Sequence, residues 1–405
     1  MNILNTPIMV GNIKLNNRIV MPPMATAKAG NDGKVSQALC NYYDEKSHGS
    51  YIGLIITEHS FISPEGKAGN GQLAIADDSD IDGLAKIVNV IHKNDTKAMA
   101  QISHAGGAAK TSITGQTTLS ASANPLPRAG KENTDIPKEM NLLDIQKVVD
   151  DFAKAAIRAK KAGYDGVEIH SAHGYLLNQF YSPLTNKRTD EYSGSTLMGR
   201  IKLHLDVIQT VREAVGKDYP IALRLGACDY IPGGSTLQDS IAAAKEFEKA
   251  GIDLLDISGG FCGYINPYSK EQGYFSEITE ELKKHIYDEH NGLHYTLVGD
   301  YYIPDLQLPE ETRPIGIWGR IHKDYLAQYH PALYNELILS GKLWTYLADL
   351  NEQAQKRMNR LINQMKAAEN ITEELKAHDP MAWVGTMNNI RNRAEEIVRS
   401  EMIYH

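Results

Sequence analysis

Residues Ile145–His170 read IQKVVDDFAKAAIRAKKAGYDGVEIH. From Ile145 to Ala162 the apolar side chains recur at helical spacing, and GVEIH (Gly166–His170) is then a short apolar strand that finishes on a histidine. A helix delivered into a buried strand is half of a βαβ unit. The same alternation continues on both sides. RIVMPPM (Arg18–Met24), YIGLIITE (Tyr51–Glu58) and KAMAQIS (Lys97–Ser103) precede it, and IALRLG (Ile221–Gly226) and LLDISGG (Leu254–Gly260) follow. Helical patterns separate most of these runs. Ile81–Asp95 puts Leu84, Ile87, Val88 and Ile91 on one face, and Ile201–Val215 and Ser240–Ala250 behave alike.

The runs are nearly continuously apolar, as parallel strands buried on both faces are. Polar residues gather just after them: Met24 is joined there by Glu58, Gln101, His170, Arg224 and Ser258. In a (β/α) barrel that end carries the chemistry. An open doubly wound sheet is the alternative, but no GxGxxG turn follows the first strand. The expectation is therefore an α/β chain built as a TIM (β/α) barrel.

The 405 residues suit a barrel with an appendage. A hydrophobic content of 42%, a charged content of 23% and a net charge of −8 describe a globular chain with no primary affinity for nucleic acid. The N-terminus lacks a basic region followed by an apolar core, so no signal peptide is expected, and no apolar run is long enough to span a membrane. Cys40, Cys228 and Cys262 are scattered and form no CxxC pair, which suits a reducing cytoplasm and argues against structural zinc or an iron–sulfur cluster. The loop from Gly106 to Glu139, rich in Thr, Ser and Pro, is expected to cover a pocket.

After about residue 275 the character changes. A complete barrel needs two more strands, and two runs compete for the role: LHYTLVG (Leu293–Gly299) and PIGIWGR (Pro314–Arg320). Between them lie Pro304 and Pro309 and no helical period, whereas a parallel crossover takes about a dozen residues or more, usually helical. These runs are therefore not read as the missing strands, and the barrel is expected to be incomplete, with about six βα units. Beyond Lys323 the chain reads as mostly α-helical. Ala354, Met358, Leu361 and Met365 form one stripe, and Trp383, Met387, Ile390, Ala394 and Ile397 another, separated by Pro380. Arg357, Arg393 and Arg399 are offset by Glu395, Glu396 and Glu401, as on an ordinary solvated face.

The chemistry concentrates in EIHSAHGYLLNQFYSP (Glu168–Pro183). His170 and His173 can share a face only if SAHG bends the chain. Two imidazoles at a strand end can hold a metal, act as a base, or donate hydrogen bonds to a developing anion; one of them can also be a purely structural residue. A metal would need a third ligand, for which Glu168 is the nearest candidate; no metal is expected. Tyr175 offers a phenol, with an unperturbed pKa of about 10, as proton donor to an enolate. Arg224 meets either an anion or a carboxylate such as Asp256. The amide of Gln101 donates and accepts at once, which suits the edge of a heterocycle. Together they suggest a site that binds a flat ring and stabilises an enolate oxygen.

NRIVMPPM, QISHAGG, HSAHGYLLNQFYSPLTNKRTDEYSGS and LRLG resemble, in order, the Old Yellow Enzyme family of FMN-dependent NADH:flavin oxidoreductases, over about residues 3–275. The resemblance implies FMN at the strand ends, reduced by NADH or NADPH and passing hydride to an activated C=C bond of a small enone or similar acceptor. It implies that His170 and His173 donate to the acceptor's carbonyl oxygen and that Tyr175 protonates carbon. Gln101 and Arg224 would meet the flavin's pyrimidine edge, Pro23 and Met24 would lie against the ring, and Glu58 and His59 would flank it. Ala25 stands where relatives carry a cysteine or threonine that tunes the flavin.

Residues from about 285 to 405 resemble instead a transposon-encoded protein of the TnpV type, through GDYYIPDLQLPEETRPIGIWGR, LILSGKLWTYL and AWVGTMNNIRNRAEEIV. The expected division is residues 1–276, a truncated barrel, and 277–405, a transposon-derived helical segment. GYFSEITEELKK (273–284) would lie near the junction of a gene fusion. Two readings stand beside a working reductase: a remnant with impaired FMN binding, and a transposon-associated protein of unknown binding role. The family's phosphate-binding loops follow its last two strands, so their loss would weaken the cofactor's anchor. Dimerisation or cover by the appended helices would offset the open sheet edges.

Overall fold

The computed structural model describes residues 3–127, 136–269, 273, 275–283, 285–288, 293–298, 301–304 and 313–404. The chain forms two compact units, Met1–Ile286 and Tyr287–His405.

In the first unit six strands make one sheet: β1 (Val20–Met21), β2 (Leu54–Phe61), β3 (Lys97–Ser103), β4 (Gly166–Ser171), β5 (Ile221–Cys228) and β6 (Leu254–Gly259). All the pairings are parallel and each joins strands consecutive in this series, the order of a barrel wall. The longer helices accompanying them among the described residues are α1 (Gln37–Ser47), α2 (Ile81–His92), α3 (Leu142–Ala162), α4 (Leu197–Val215) and α5 (Leu237–Lys249). The expected first strand, Arg18–Met24, is realised only as Val20–Met21, because Pro22 and Pro23 bring no amide hydrogen to a ladder.

The sequence sets the helix ends locally. Asn141 caps α3 by accepting from the amides of Leu143 and Asp144, and Asp144 returns the contact to the Asn141 amide. Gly163 closes α3 at φ 93°, a conformation open to glycine at little cost. Thr236 and Asp239 repeat the capping box at α5.

Strand period sorts the side chains. Ile55, Ala98, Ala100, Val167, Ile169, Leu223 and Leu225 belong to the large core shared with the helices. Leu54, Ile56, Met99 and Ala222 form a second cluster with Val10 and Leu15 of an N-terminal hairpin, Ile8–Val10 paired with Ile13–Leu15. Two residues further along each strand, on that same inner face, stand Glu58, Gln101, Arg224 and Asp256. The apolar floor thus fixes which face the polar residues occupy. Every residue of β4 is buried, whereas Leu254–Ile257 of the edge strand β6 are only half-buried.

In the second unit Leu293–Val298 pairs antiparallel with Tyr301–Pro304, and Gly316–Tyr329 is a helix. Neither run is a strand of the parallel sheet, as the sequence leads one to expect. Ala354, Met358 and Leu361 pack with Ala394, Val398, Ile403 and Trp318, and Met365 and Ile397 lie against them: an ordinary helix–helix core. Pro380 takes the first position of the helix Pro380–Val398. Arg357 pairs with Glu401 at 3.0 Å, Arg399 with Glu395 at 2.7 Å, and Arg393 with Glu369.

Candidate active site

The polar strand ends converge on the ring cluster of the His-Ser-Ala-His-Gly-Tyr segment. His173 takes φ 59° and Gly174 φ 74°, so two consecutive left-handed residues make the bend that returns His173 toward the inner face. The ring centroid of His170 lies 5.3 Å from that of His173 and 5.1 Å from that of Tyr175, both edge-on. His59 stacks on Tyr175 at 5.3 Å. The β2–β3 register shifts between Thr57 and Ser60, which puts an extra residue into β2 and lets both Glu58 and His59 approach the site.

Hydrogen bonds fix the tautomer of one imidazole and orient two others. The Ala68 amide donates to Gln72 Oε1 at 2.7 Å, so it is the Gln72 amino group that meets His59 Nδ1 at 3.0 Å. The His59 ring hydrogen is therefore on Nε2. Arg224 Nη2 reaches Ser258 Oγ at 3.5 Å, and the same oxygen lies 2.7 Å from His173 Nε2, leaving Nδ1 as the ring nitrogen that does not meet Ser258. Gln101 Nε2 donates to Glu168 Oε1 at 2.7 Å and lies 3.4 Å from His170 Nδ1, consistent with His170 carrying its hydrogen on Nε2.

Loss of hydration keeps these rings neutral. Burial pushes His59 down to about 4 and His173 to about 3, the latter helped by the Arg224 charge. Burial, then the neighbouring His173, holds His170 well below the usual imidazole range. Burial raises Glu58, against a hydrogen bond from Thr26. Arg224 pairs with Asp256 at 2.7 Å, the carboxylate partner anticipated as one of its two roles, and its Nε is buried without a partner.

An open cleft of about 470 Å³ adjoins the cluster. His173, Gly174 and Tyr175 form one wall, the 261–265 segment with Phe261 and Tyr264 another, and Ala108, Leu126 and Pro127 of the long loop a third. Pro23 is half-buried, and Met24, 55% exposed, and Ala25 stand open beyond β1. Among the described residues no group of three ligating side chains is placed to hold a metal, and no helix is long and apolar enough to cross a membrane.

The site also uses residues given no role from sequence. Thr26, one position past Ala25, reaches Glu58, and Gln72 orients His59. Ser258 stands out as a polar strand end, and its place two residues after Asp256 could have marked it as inward-facing; nothing in the sequence marks Gln72.

The family model for the NADH:flavin oxidoreductases and NADH oxidases matches residues 3–320, and that for the transposon-encoded protein TnpV matches 294–403. The first extends past the recognised motifs, which end near 275, and the two overlap over 294–320. Over 281 residues the chain is 40% identical to an NADH oxidase of Thermoanaerobacter brockii, covering 68% of this chain but 42% of that protein. It is 38% identical over 285 residues to an NADPH dehydrogenase of Bacillus cytotoxicus, covering 70% and 78%. An old yellow enzyme homologue from Zymomonas mobilis superposes with a TM-score of 0.60 at 30% identity, over 68% of this chain and 79% of that one.

Proposed function

Given that this chain belongs to the NADH:flavin oxidoreductase / NADH oxidase family, we propose that it is an FMN-dependent oxidoreductase acting on a small acceptor with an activated C=C bond. The observation that carries this reading is the clustering of His170, His173 and Tyr175 beside an Arg224 whose buried Nε lacks a partner. A buried guanidinium hydrogen left without an acceptor is costly, and the polar edge of a flavin would supply one. Gln101 adds an amide on the same inner face. Pro23, Met24 and Ala25 would border the ring, with Glu58 and His59 at its flank. The ring therefore fits the residues present. The sheet ends at β6 among the described residues, so the loops that hold the phosphate in relatives have no counterpart in it.

Bound FMN would take hydride from NADH or NADPH and supply it to the acceptor's β carbon. The protein's part is to polarise and protonate. His170 Nε2–H and His173 Nδ1–H donate to the acceptor's carbonyl oxygen, and both rings stay neutral because burial denies them the imidazolium form. The Tyr175 hydroxyl gives its proton to the α carbon and regains one from solvent through the cleft. The scattered free thiols suit a reducing cytoplasm, and the partner is a small molecule rather than nucleic acid.

The test is a visible spectrum of the purified protein after FMN loading and desalting, followed by anaerobic turnover with a cyclic enone. Retained flavin, with enone reduction lowered about 100-fold or more by Tyr175→Phe while reduction of the flavin by NAD(P)H persists, is the expected result. Folded protein that retains no flavin would overturn it and leave the motifs as the relic of a fused gene.

A further inference from the structure

One buried and one half-buried carboxyl group stand behind one cation. Glu168, two residues before His170 on β4, is fully buried. Its Oε1 takes the Gln101 amide at 2.7 Å, and its Oε2 has no donor facing it. Asp256, opposite Arg224 in the β5–β6 register, accepts from Arg224 Nη1 at 2.7 Å. The groups facing Glu168 are Gln101 on β3, Arg224 on β5 and Asp256 on β6, with His170 beyond Gln101. Arg224 is the cation among them, and Asp256 already holds it. An ionised Glu168 would add a second anion beside that cation, fully buried and with one oxygen unsolvated, which is costly.

We propose that Glu168 is kept as a neutral carboxylic acid whose proton on Oε2 faces the Asp256 carboxylate, making it a positioning residue for Arg224. The arrangement leaves Arg224, Asp256 and Glu168 with no net charge. Ionising both carboxyls would give the cluster a net negative charge and oppose any anion that Arg224 is to meet. Burial, and then the Asp256 charge, push the Glu168 carboxyl well above the usual carboxylate range, in keeping with this geometry. The consequence for flavin charge rests on the function proposed above; the protonation itself does not.

Infrared spectroscopy of the full chain at neutral pH tests it. A carboxylic-acid carbonyl stretch that is lost in Glu168→Gln is the expected result, with or without flavin. Should that variant fail to fold, isotopically labelled glutamate should shift the band, and Asp256→Asn should abolish it, because Glu168 then ionises to pair with Arg224. In flavin-loaded protein the flavin potential of Glu168→Gln should match the wild type at neutral pH and exceed it in alkali, where wild-type Glu168 ionises. Folded protein without the band, or a band that survives Glu168→Gln, overturns the proposal. Failure to retain flavin overturns the functional reading and leaves the infrared result to decide this one.

Discussion

His173 Nε2 lies 2.7 Å from Ser258 Oγ, tying the loop after β4 to the end of β6. Because Arg224 reaches the same oxygen, one hydroxyl holds the place of both an imidazole and a guanidinium. Ser258→Ala should cost about 1 kcal/mol of stability and free the His173 ring. Enone kcat/KM should fall about tenfold, with flavin reduction by NAD(P)H nearly unchanged. Stopped-flow of the two half-reactions separates these.

Gly174 takes φ 74°, and a Cβ there would meet Phe261 Cε1 at 3.0 Å. Gly174→Ala should destabilise the protein by about 1–2 kcal/mol through the left-handed backbone alone. It should also displace Tyr175, which follows directly. Urea denaturation and enone turnover both report it.

Asp229 is fully buried and accepts from Ser182 Oγ at 2.6 Å and from the amides of Ser235 and Phe261 at 2.8 Å each. It fastens the cleft segment that starts at Phe261 to two other loops. Asp229→Ala should cost about 3 kcal/mol, since buried donors lose a charged acceptor. In protein that still folds, the acceptor's KM should rise more than its kcat falls.

Acid should destabilise the first unit before its exposed carboxylates protonate. Burial pushes His104 down to about 4 and His204 to about 3. Between roughly pH 6.5 and 4 the unfolded chain binds protons there that the folded chain does not, so stability is lost as the pH falls through that window. Each histidine contributes about 1.4 kcal/mol per pH unit where the difference is full. Denaturation midpoints at pH 7 and pH 5 measure the slope. His204→Phe should reduce it, because that ring only packs between Tyr181 and Phe247 and bonds Ser171 at 2.6 Å.

The strands and their inward residues were legible because parallel strands are apolar runs with period two. Leu54, Ile56 and Glu58 stand in one line, so a polar residue at the end of such a run announces a site. The bend at His173 was legible from its glycine. What could not be read depends on contacts distant in sequence. Gln72 meets His59 only because a loop folds back, and the 261–265 segment becomes a cleft wall only after Asp229 fixes Phe261. Pro22 and Pro23 interrupt the apolar run Arg18–Met24, so its ladder is confined to Val20–Met21.

The sheet adds each strand beside the one made just before it. A chain leaving the ribosome therefore never waits for a later segment to complete an earlier pair: once Gly259 has emerged, every pairing of the parallel sheet has its partner. Growth of this kind favours folding during synthesis, with short stretches of unpaired strand at any moment. A nascent chain arrested once Gly259 has cleared the ribosome should already resist protease across β2–β5.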